Sequence, residues 1–135
     1  MTGATKASSY HHGDLRRAIL DAGEAELTER GLAAFSLRRV AARVGVSHTA
    51  PSHHFGDTAG MIAALAERGF GRLLACMEAR QASAADTPYE RLMGSGMGYL
   101  DFAFANPALF RLVFGLPKGP SPHSDLHRAS EAAYL

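Results

Sequence analysis

The side chains of this sequence that could do chemistry are seven histidines, one cysteine and a group of arginines. Two histidine pairs, His11-His12 and His53-His54, suggest metal ligation, but neighbouring residues of a helix point about 100° apart, and Cys76 is remote in sequence from both pairs. Neither a Cys-x-x-Cys pair nor a His-Glu-x-x-His motif accompanies them. The sequence therefore predicts no metal site, no cofactor and no catalytic constellation, and we do not expect an enzyme.

Glycines raise the possibility of a phosphate-binding loop at residues 94–98, where the sequence is Gly-Ser-Gly-Met-Gly. Such a loop needs a preceding strand and a following Lys-Ser or Lys-Thr, and this segment has neither. The favoured interpretation is that these glycines let two helices pack closely. Cys76 is interpreted as a small core residue, because no His and carboxylate partner is evident.

Positive charge is concentrated in one segment, although the whole chain has a formal net charge of only +1. Between Arg30 and Gly56 there are four arginines, no Asp and no Glu, and three of the seven histidines. A local basic segment is typical of a surface that contacts nucleic acid. The alternative is a solvated basic face on an ordinary helical packing unit.

Two short helices are predicted within this basic segment. Ser36 is the expected N-cap of the first, whose apolar positions recur at i, i+3, i+4 and i+7, namely Leu37, Val40, Ala41 and Val44. Gly45 ends this helix, and Ser47 is the expected N-cap of the second, which reaches Phe55. Because proline is tolerated only near a helix start, Pro51 requires the second helix to begin close to Ser47.

Helix, tight turn and helix in this order predict a helix-turn-helix unit, in which the second helix enters the major groove of DNA. The first helix has an apolar face that can hold the second, and the turn has the glycine it needs. Small or polar groups that could contact bases or phosphates are expected to face outward on the second helix: His48, Thr49, Ser52 and His53.

The rest of the chain is also predicted to be helical, so the expected class is all-α. A first helix covers residues 14–30, with Glu26 at the edge of its apolar stripe and directed outward. Asp57 caps a fourth helix to about Gln81, Thr87-Pro88 starts a fifth to about Ala105, and Asn106-Pro107 starts a sixth. Residues 115–122 are expected to be a loop, and a last helix from Ser124 is expected to be cut short.

These elements predict three regions: a flexible arm at residues 1–13, a three-helix DNA-binding head at 14–56 and a partial helical regulatory domain at 57–135. At 135 residues the chain is long enough for one ordinary core. A single cysteine excludes an internal disulfide, and no segment has the length and apolarity of a membrane span. We expect a cytoplasmic protein with no membrane partner.

Several runs resemble, in order and spacing, the N-terminal domain of TetR/AcrR-type repressors. They are Tyr10-His11-His12-Gly13-Asp14-Leu15-Arg16-Arg17, Glu29-Arg30-Gly31-Leu32, Ser36-Leu37-Arg38-Arg39-Val40-Ala41, Gly45-Val46-Ser47 and His53-His54-Phe55-Gly56-Asp57. Residues 102–115 are similar to the start of one subgroup's C-terminal regulatory domain. The resemblance implies a homodimeric regulator, usually a repressor, that binds a palindromic operator in double-stranded DNA and is released by a small molecule.

The resemblance also implies a set of DNA-contacting positions around the second and third helices. With the outward-facing groups described above, they are Ser36, Arg38, Arg39, Arg43, Ser47, His48, Thr49, Ala50, Ser52, His53, His54 and Thr58. The family usually has Tyr at Ser52 and Lys at Thr58, both of which commonly contact the DNA backbone. Without them, DNA affinity and its salt dependence should be lower.

An apolar effector is expected to bind among the Met and Phe side chains of helices 4 to 6. The candidate residues are Met77, Met93, Met97, Phe102, Phe110 and Phe114, and a plain helical core is the alternative for each. Family members normally extend through two further helices that form the dimer. The competing hypothesis is therefore a truncated helical interaction module, which does not bind DNA alone and pairs with another regulator.

Overall fold

The computed structural model describes residues 8–115, with side chains described from Gly13. Within that range it contains six α-helices and no strand, which confirms the all-α prediction. The helices are α1 (Ser8–Arg30), α2 (Leu37–Val44), α3 (Ala50–Phe55), α4 (Thr58–Ala82), α5 (Pro88–Ala105) and α6 (Pro107–Gly115). Gly115 therefore belongs to α6, while the rest of the expected loop and the helix expected from Ser124 lie outside the described residues.

Three of the predicted helix caps are confirmed. The Ser36 hydroxyl accepts a hydrogen bond from the Arg39 N–H at 3.4 Å. Asp57 Oδ1 accepts from the Gly60 N–H at 2.8 Å, and the Thr87 hydroxyl accepts from the Glu90 N–H at 3.2 Å. Each cap satisfies one of the backbone donors that the first turn of a helix leaves without a partner.

Two predicted helix starts are wrong. Helix α1 begins at Ser8 and so includes part of the segment expected to be an arm. Helix α3 begins at Ala50 with Thr49 as its N-cap, whereas Ser47 was expected in that role. Proline explains the second difference. A helix capped by Ser47 would need Pro51 to donate an N–H to the Ser47 carbonyl, and that carbonyl instead accepts from the Ala50 N–H at 3.1 Å.

The chain divides into two compact units, residues 1–62 and 63–135, and the boundary lies inside α4 rather than before it. In the first unit α1 packs against α2 and α3, and α2 packs against α3. Its buried hydrophobic residues come from α1, α2 and the first turn of α4: Ile19, Leu20, Leu27, Val40, Ala41, Met61 and Ile62. The predicted apolar stripe of α2 therefore faces the core of this unit at Val40 and Ala41.

In the second unit glycines set the approach of α5 to α4. A Cβ placed on Gly98 would lie 2.5 Å from the Cys76 carbonyl oxygen and 2.5 Å from Met77 Cα, and one on Gly94 would lie 3.2 Å from the Arg80 carbonyl oxygen. The interpretation of these glycines as packing residues is therefore supported at Gly94 and Gly98 but is wrong for Gly96, where a Cβ would meet nothing within 4 Å. Arg80 and Asp101 clamp the same crossing with two hydrogen bonds, of 2.5 and 2.9 Å.

Helix α5 turns most of its large apolar side chains to solvent in this structure. The exposed residues are Tyr89, Leu92, Met93, Met97, Leu100 and Phe104. Gly98 and Phe102, on the opposite side, are the buried residues of this helix. Gly94 and Gly98 explain why this face of α5 packs against α4. Without side chains at these two positions, the backbones of the two helices can approach closely.

We expect Gly98→Ala to destabilise the second unit by about 1–3 kcal/mol, because the added methyl group meets backbone atoms that cannot rotate away. Gly96 offers a matched control on the same helix, since a Cβ there meets nothing within 4 Å. Gly96→Ala should be neutral or should stabilise by about 0.5–1 kcal/mol. Urea unfolding of both variants measures the difference, and equal stabilities would contradict the close approach of α4 and α5.

Candidate nucleic-acid interface

A tight turn joins α2 to α3 and fixes the angle between them. Gly45 has φ +76°, in the left-handed region that favours glycine, and its N–H donates to the carbonyls of Ala41 and Ala42 at 2.9 and 3.2 Å. The Val46 N–H also donates to the Ala41 carbonyl, at 3.1 Å. These hydrogen bonds end α2 and turn the chain, and α3 begins a few residues later. This is the arrangement that the helix-turn-helix prediction requires.

The turn and α3 present a polar surface to solvent, which we call the α3 surface. It consists of Ser47, His48, Thr49, Ser52 and His53, all of which are exposed. Ala50 and His54 are half-buried beside it, and Pro51 is buried beneath it. Leu15 of α1 completes a concave surface with six of these residues: Ser47, Thr49, Ala50, Ser52, His53 and His54. The small and hydroxyl side chains leave room for a partner to approach the backbone.

The structure contradicts the predicted orientation of Glu26, because its side chain is fully buried rather than directed outward. Its two oxygens accept hydrogen bonds from α2, one from Arg39 Nε at 2.6 Å and one from Arg43 Nε at 3.0 Å. Burial by itself would raise the pKa of this carboxyl, but the two hydrogen bonds outweigh burial and hold the pKa below its ordinary value. A carboxylate on α1 therefore ties α2 to it.

The same arginines make further contacts on this side of the unit. Arg43 Nη2 donates to Glu29, and Arg39 Nη2 donates to the Ala34 carbonyl. The hydrogen bond from Arg43 lowers the pKa of the Glu29 carboxyl. The two arginines and the two carboxylates have a combined charge of zero. Half of the positive charge counted in the basic segment is thus balanced inside the same unit by α1.

Arg38 differs from its neighbours on α2. It is exposed and makes no hydrogen bond or ion pair with the residues that the structure describes. A second cation, Arg16 of α1, lies with its guanidinium carbon 4.7 Å from the centre of the Phe55 ring at the end of α3. Of the predicted α2 arginines, Arg38 is the one whose charge is available to a partner.

The remaining predicted positions flank the α3 surface. The Ser36 hydroxyl caps α2, so its oxygen is already an acceptor for a backbone N–H. Thr58 is exposed at the first residue of α4. Sequence reasoning missed Glu26 and Glu29 as partners of the arginines. The signal was present at Glu26, a carboxylate in an apolar helical row, but its partners are 13 and 17 residues away in the chain.

The six residues predicted to line an effector pocket do not share one environment. Met93, Met97 and Phe114 are 47%, 42% and 40% exposed, whereas Phe102 is fully buried. Phe110 and Phe114 stack with their ring centroids 4.8 Å apart, and both contact the ring of Tyr99 at 5.6 and 5.7 Å. An aromatic cluster at the α5–α6 junction is therefore present, with the two methionines on the outer face of α5.

The described part of the chain offers neither a metal-binding cluster nor a helix that could span a membrane. Across residues 8–115 no three His, Cys, Asp or Glu side chains come together as metal ligands. None of the helices in that range combines the length and apolarity needed to cross a bilayer.

Comparison with known proteins finds a family match to part of the chain. Residues 19–65 match the family of bacterial regulatory proteins designated tetR. The HTH-type transcriptional regulator BetI of Burkholderia mallei (strain NCTC 10229) is 36% identical over 80 residues, which are 58% of this chain and 41% of that protein. BetI of Burkholderia thailandensis is 35% identical over the same length. The chain thus spans about two fifths of the length of these curated relatives.

Solved structures extend the likeness beyond the first unit. A protein of unknown function from Rhodococcus sp. RHA1 superimposes with a TM-score of 0.80 at 38% identity, over 93% of this chain and 65% of that one. The crystal structure of SCO4313, described as a regulatory protein, superimposes with a TM-score of 0.76 over 95% of this chain and 61% of that one. Its identity of 23% shows a common fold alone.

We expect the first unit to lose stability in acid because of Glu26. Its pKa is lowered in the folded state, so its contribution is complete above the unfolded value of about 4.3 and is lost as pH falls through the lower folded pKa. Glu26→Gln should cost about 1–3 kcal/mol near neutral pH and flatten the acid-induced loss. Chemical unfolding at several pH values between about 3 and 7 measures both effects.

Glu29→Gln is the matched control, because it removes a carboxylate that binds the same arginine but is 57% exposed. Its effect should be much smaller, since water can replace the lost contact. If the two variants lose stability equally, the buried pair does not have the role assigned to it.

Proposed function

We propose that this chain is a transcriptional regulator of the tetR family that binds double-stranded DNA through α3, because residues 19–65 match that family of bacterial regulatory proteins. The observation that carries the proposal is the α3 surface. It is exposed, lacks acidic side chains and is held by a glycine turn on a helix whose opposite face is buried. That arrangement suits insertion into the major groove.

The available side chains fit different parts of a DNA surface. Arg38 and Thr58 would contact phosphates on either side of the groove, together with backbone N–H groups at the start of α2. Thr49 would reach base edges, the methyl group of Ala50 suits contact with a thymine methyl, and His48 and His53 would lie within reach of phosphates. Arg39 and Arg43 would act indirectly, by holding α2 through Glu26, unless DNA displaces them from that carboxylate.

We further propose that the protein acts as a homodimeric repressor in the cytoplasm, with two heads on a palindromic operator. Half-sites one helical turn apart would suit two symmetry-related α3 helices. With about 2 to 4 phosphate contacts per head, a dimer should show a log-log salt slope of roughly −4 to −7. A small apolar effector, bound near Tyr99, Phe110 and Phe114, would shift α4 and change the spacing of the heads.

A second candidate function is that of a helical interaction module that pairs with another regulator and does not bind DNA alone. Two observations favour it. Arg39 and Arg43 are neutralised within the first unit, and α5 carries a row of exposed apolar side chains. Light scattering combined with gel shift separates the two functions. Dimers that shift DNA support the regulator, and a monomer that does not shift it supports the module.

Arg38→Ala should weaken DNA binding about tenfold and make the log-log salt slope shallower by roughly one per head, because one phosphate contact is lost. Arg111→Ala is the matched control, since Arg111 is an exposed arginine on α6 in the second unit. Fluorescence anisotropy with DNA from beside the protein's own gene, at two salt concentrations, measures both. Equal losses in the two variants would contradict a specific phosphate contact at Arg38.

A further inference from the structure

The permanent positive charge of α2 is largely used inside the protein. Arg39 and Arg43 both donate to the buried Glu26 carboxylate, and Arg43 also donates to Glu29. Arg38 is left as the exposed arginine of this helix that has no described partner. The fixed positive charge near α3 is therefore limited to the exposed Arg38 and to Arg16 over Phe55, and a further source of positive charge is a residue type other than arginine.

Histidine is that residue type. Residues 47–55, which form the end of the turn and α3, contain His48, His53 and His54 and no Lys, Arg, Asp or Glu. His48 and His53 are exposed members of the α3 surface, and the concave surface that includes His53 has no carboxylate among its lining residues. The imidazole group is the side chain whose charge ordinarily changes between pH 5 and 8.

The His53 ring contacts the ring of His54, with the centroids 5.4 Å apart, and the charged groups around α3 leave both His48 and His53 exposed. From α1, Arg16 lies over Phe55, and Asp14 is exposed beside Leu15. From α2, Arg38 is exposed, and the other two arginines bind Glu26. After α3, the Asp57 carboxylate accepts from the Gly60 N–H as the cap of α4.

We propose that DNA binding by this protein is coupled to proton uptake at His48 and His53, so that affinity for DNA rises as pH falls through the neutral range. The inference rests on the proposed function and adds a regulatory input to the same surface. A phosphate near an imidazole stabilises its protonated form, and the protonated form in turn binds phosphate more tightly. Each histidine that gains a proton on binding adds one phosphate contact.

The expected size follows from linkage. Affinity should rise roughly fourfold per histidine between about pH 7.5 and about pH 6.0, and therefore roughly fifteenfold for the two in one head. The log-log salt slope should also become steeper by about one for each histidine that binds a phosphate. Acid-induced loss of stability through Glu26 belongs to lower pH, because the pKa of that carboxyl is held below its ordinary value.

The test uses the full chain and a fluorescein-labelled DNA duplex of mixed sequence, since contacts to phosphates do not depend on the operator. Anisotropy titrations at about pH 7.5 and about pH 6.0, each at two salt concentrations, give affinity and salt slope. Circular dichroism melts at both pH values confirm that the protein is folded. The same titrations with Arg38→Ala report whether DNA is bound through the helix-turn-helix.

Three variants test whether His48 and His53 are the residues that take up the protons. The double variant His48→Asn and His53→Asn should bind DNA equally at the two pH values, so that the ratio of the two affinities falls to about one, because asparagine takes up no proton. The double variant His48→Arg and His53→Arg should bind tightly at both pH values, because arginine keeps its charge. Ser52→Ala is the matched control on the same exposed surface, and it should keep the pH dependence.

The outcomes separate three statements: the proton coupling, its assignment to His48 and His53, and the proposed function. Binding that is sensitive to Arg38→Ala but equal at the two pH values overturns the proton coupling and leaves the proposed function standing. A rise at pH 6.0 that persists in the Asn double variant overturns the assignment to His48 and His53. A folded protein that binds no duplex of either kind, mixed sequence or from beside its own gene, overturns the proposed function and the inference together.

Discussion

The buried carboxylate of Glu26 is the interaction on which the first unit depends. A fully buried charge is stable only when hydrogen-bonded partners of opposite charge compensate its lost hydration. Arg39 and Arg43, one turn apart on α2, supply those partners with one Nε–H to each oxygen. The pair of contacts fixes both the distance of α2 from α1 and its rotation, because a shift along either axis would leave an oxygen without a donor.

That constraint determines how the first unit presents α3. Helix α3 has six residues, too short to hold its own position, and it depends on Gly45 and on packing against α1 and α2. Holding α2 therefore holds α3. The same arginines that hold α2 are paired with carboxylates. The positively charged segment of the sequence therefore forms a more weakly charged surface in the folded protein. In the proposed function, Arg38 and the histidines are then the groups through which ionic strength and pH would act on DNA binding.

Helix packing in the second unit depends instead on glycines, whose missing side chains let neighbouring helices approach closely. Gly98 and Gly94 let α5 approach the backbone of α4, and Gly69 leaves room for Val113 of α6, whose Cγ2 would lie 2.7 Å from an added Cβ. Close approach on the glycine face leaves the large apolar side chains of α5 on the other face. The distribution explains why the residues predicted to surround an effector are divided between a buried Phe102 and exposed methionines.

The sequence by itself determined the helices and most of their ends. Helical periodicity, the caps at Ser36, Asp57 and Thr87, and the glycine at position 45 act over a few residues, so local rules suffice to predict them. They also predicted the helix-turn-helix and its outward-facing residues. The start of α3 was misplaced because the missing N–H of Pro51 outweighed a favourable cap at Ser47. Tertiary structure alone decided that Glu26 is buried with Arg39 and Arg43 as its partners. It also decided which side of α5 is exposed. The physical reason is that a buried ion pair and a helix crossing join residues distant in sequence, and which partner a charge or a glycine meets is set by packing, not by its neighbours in the chain.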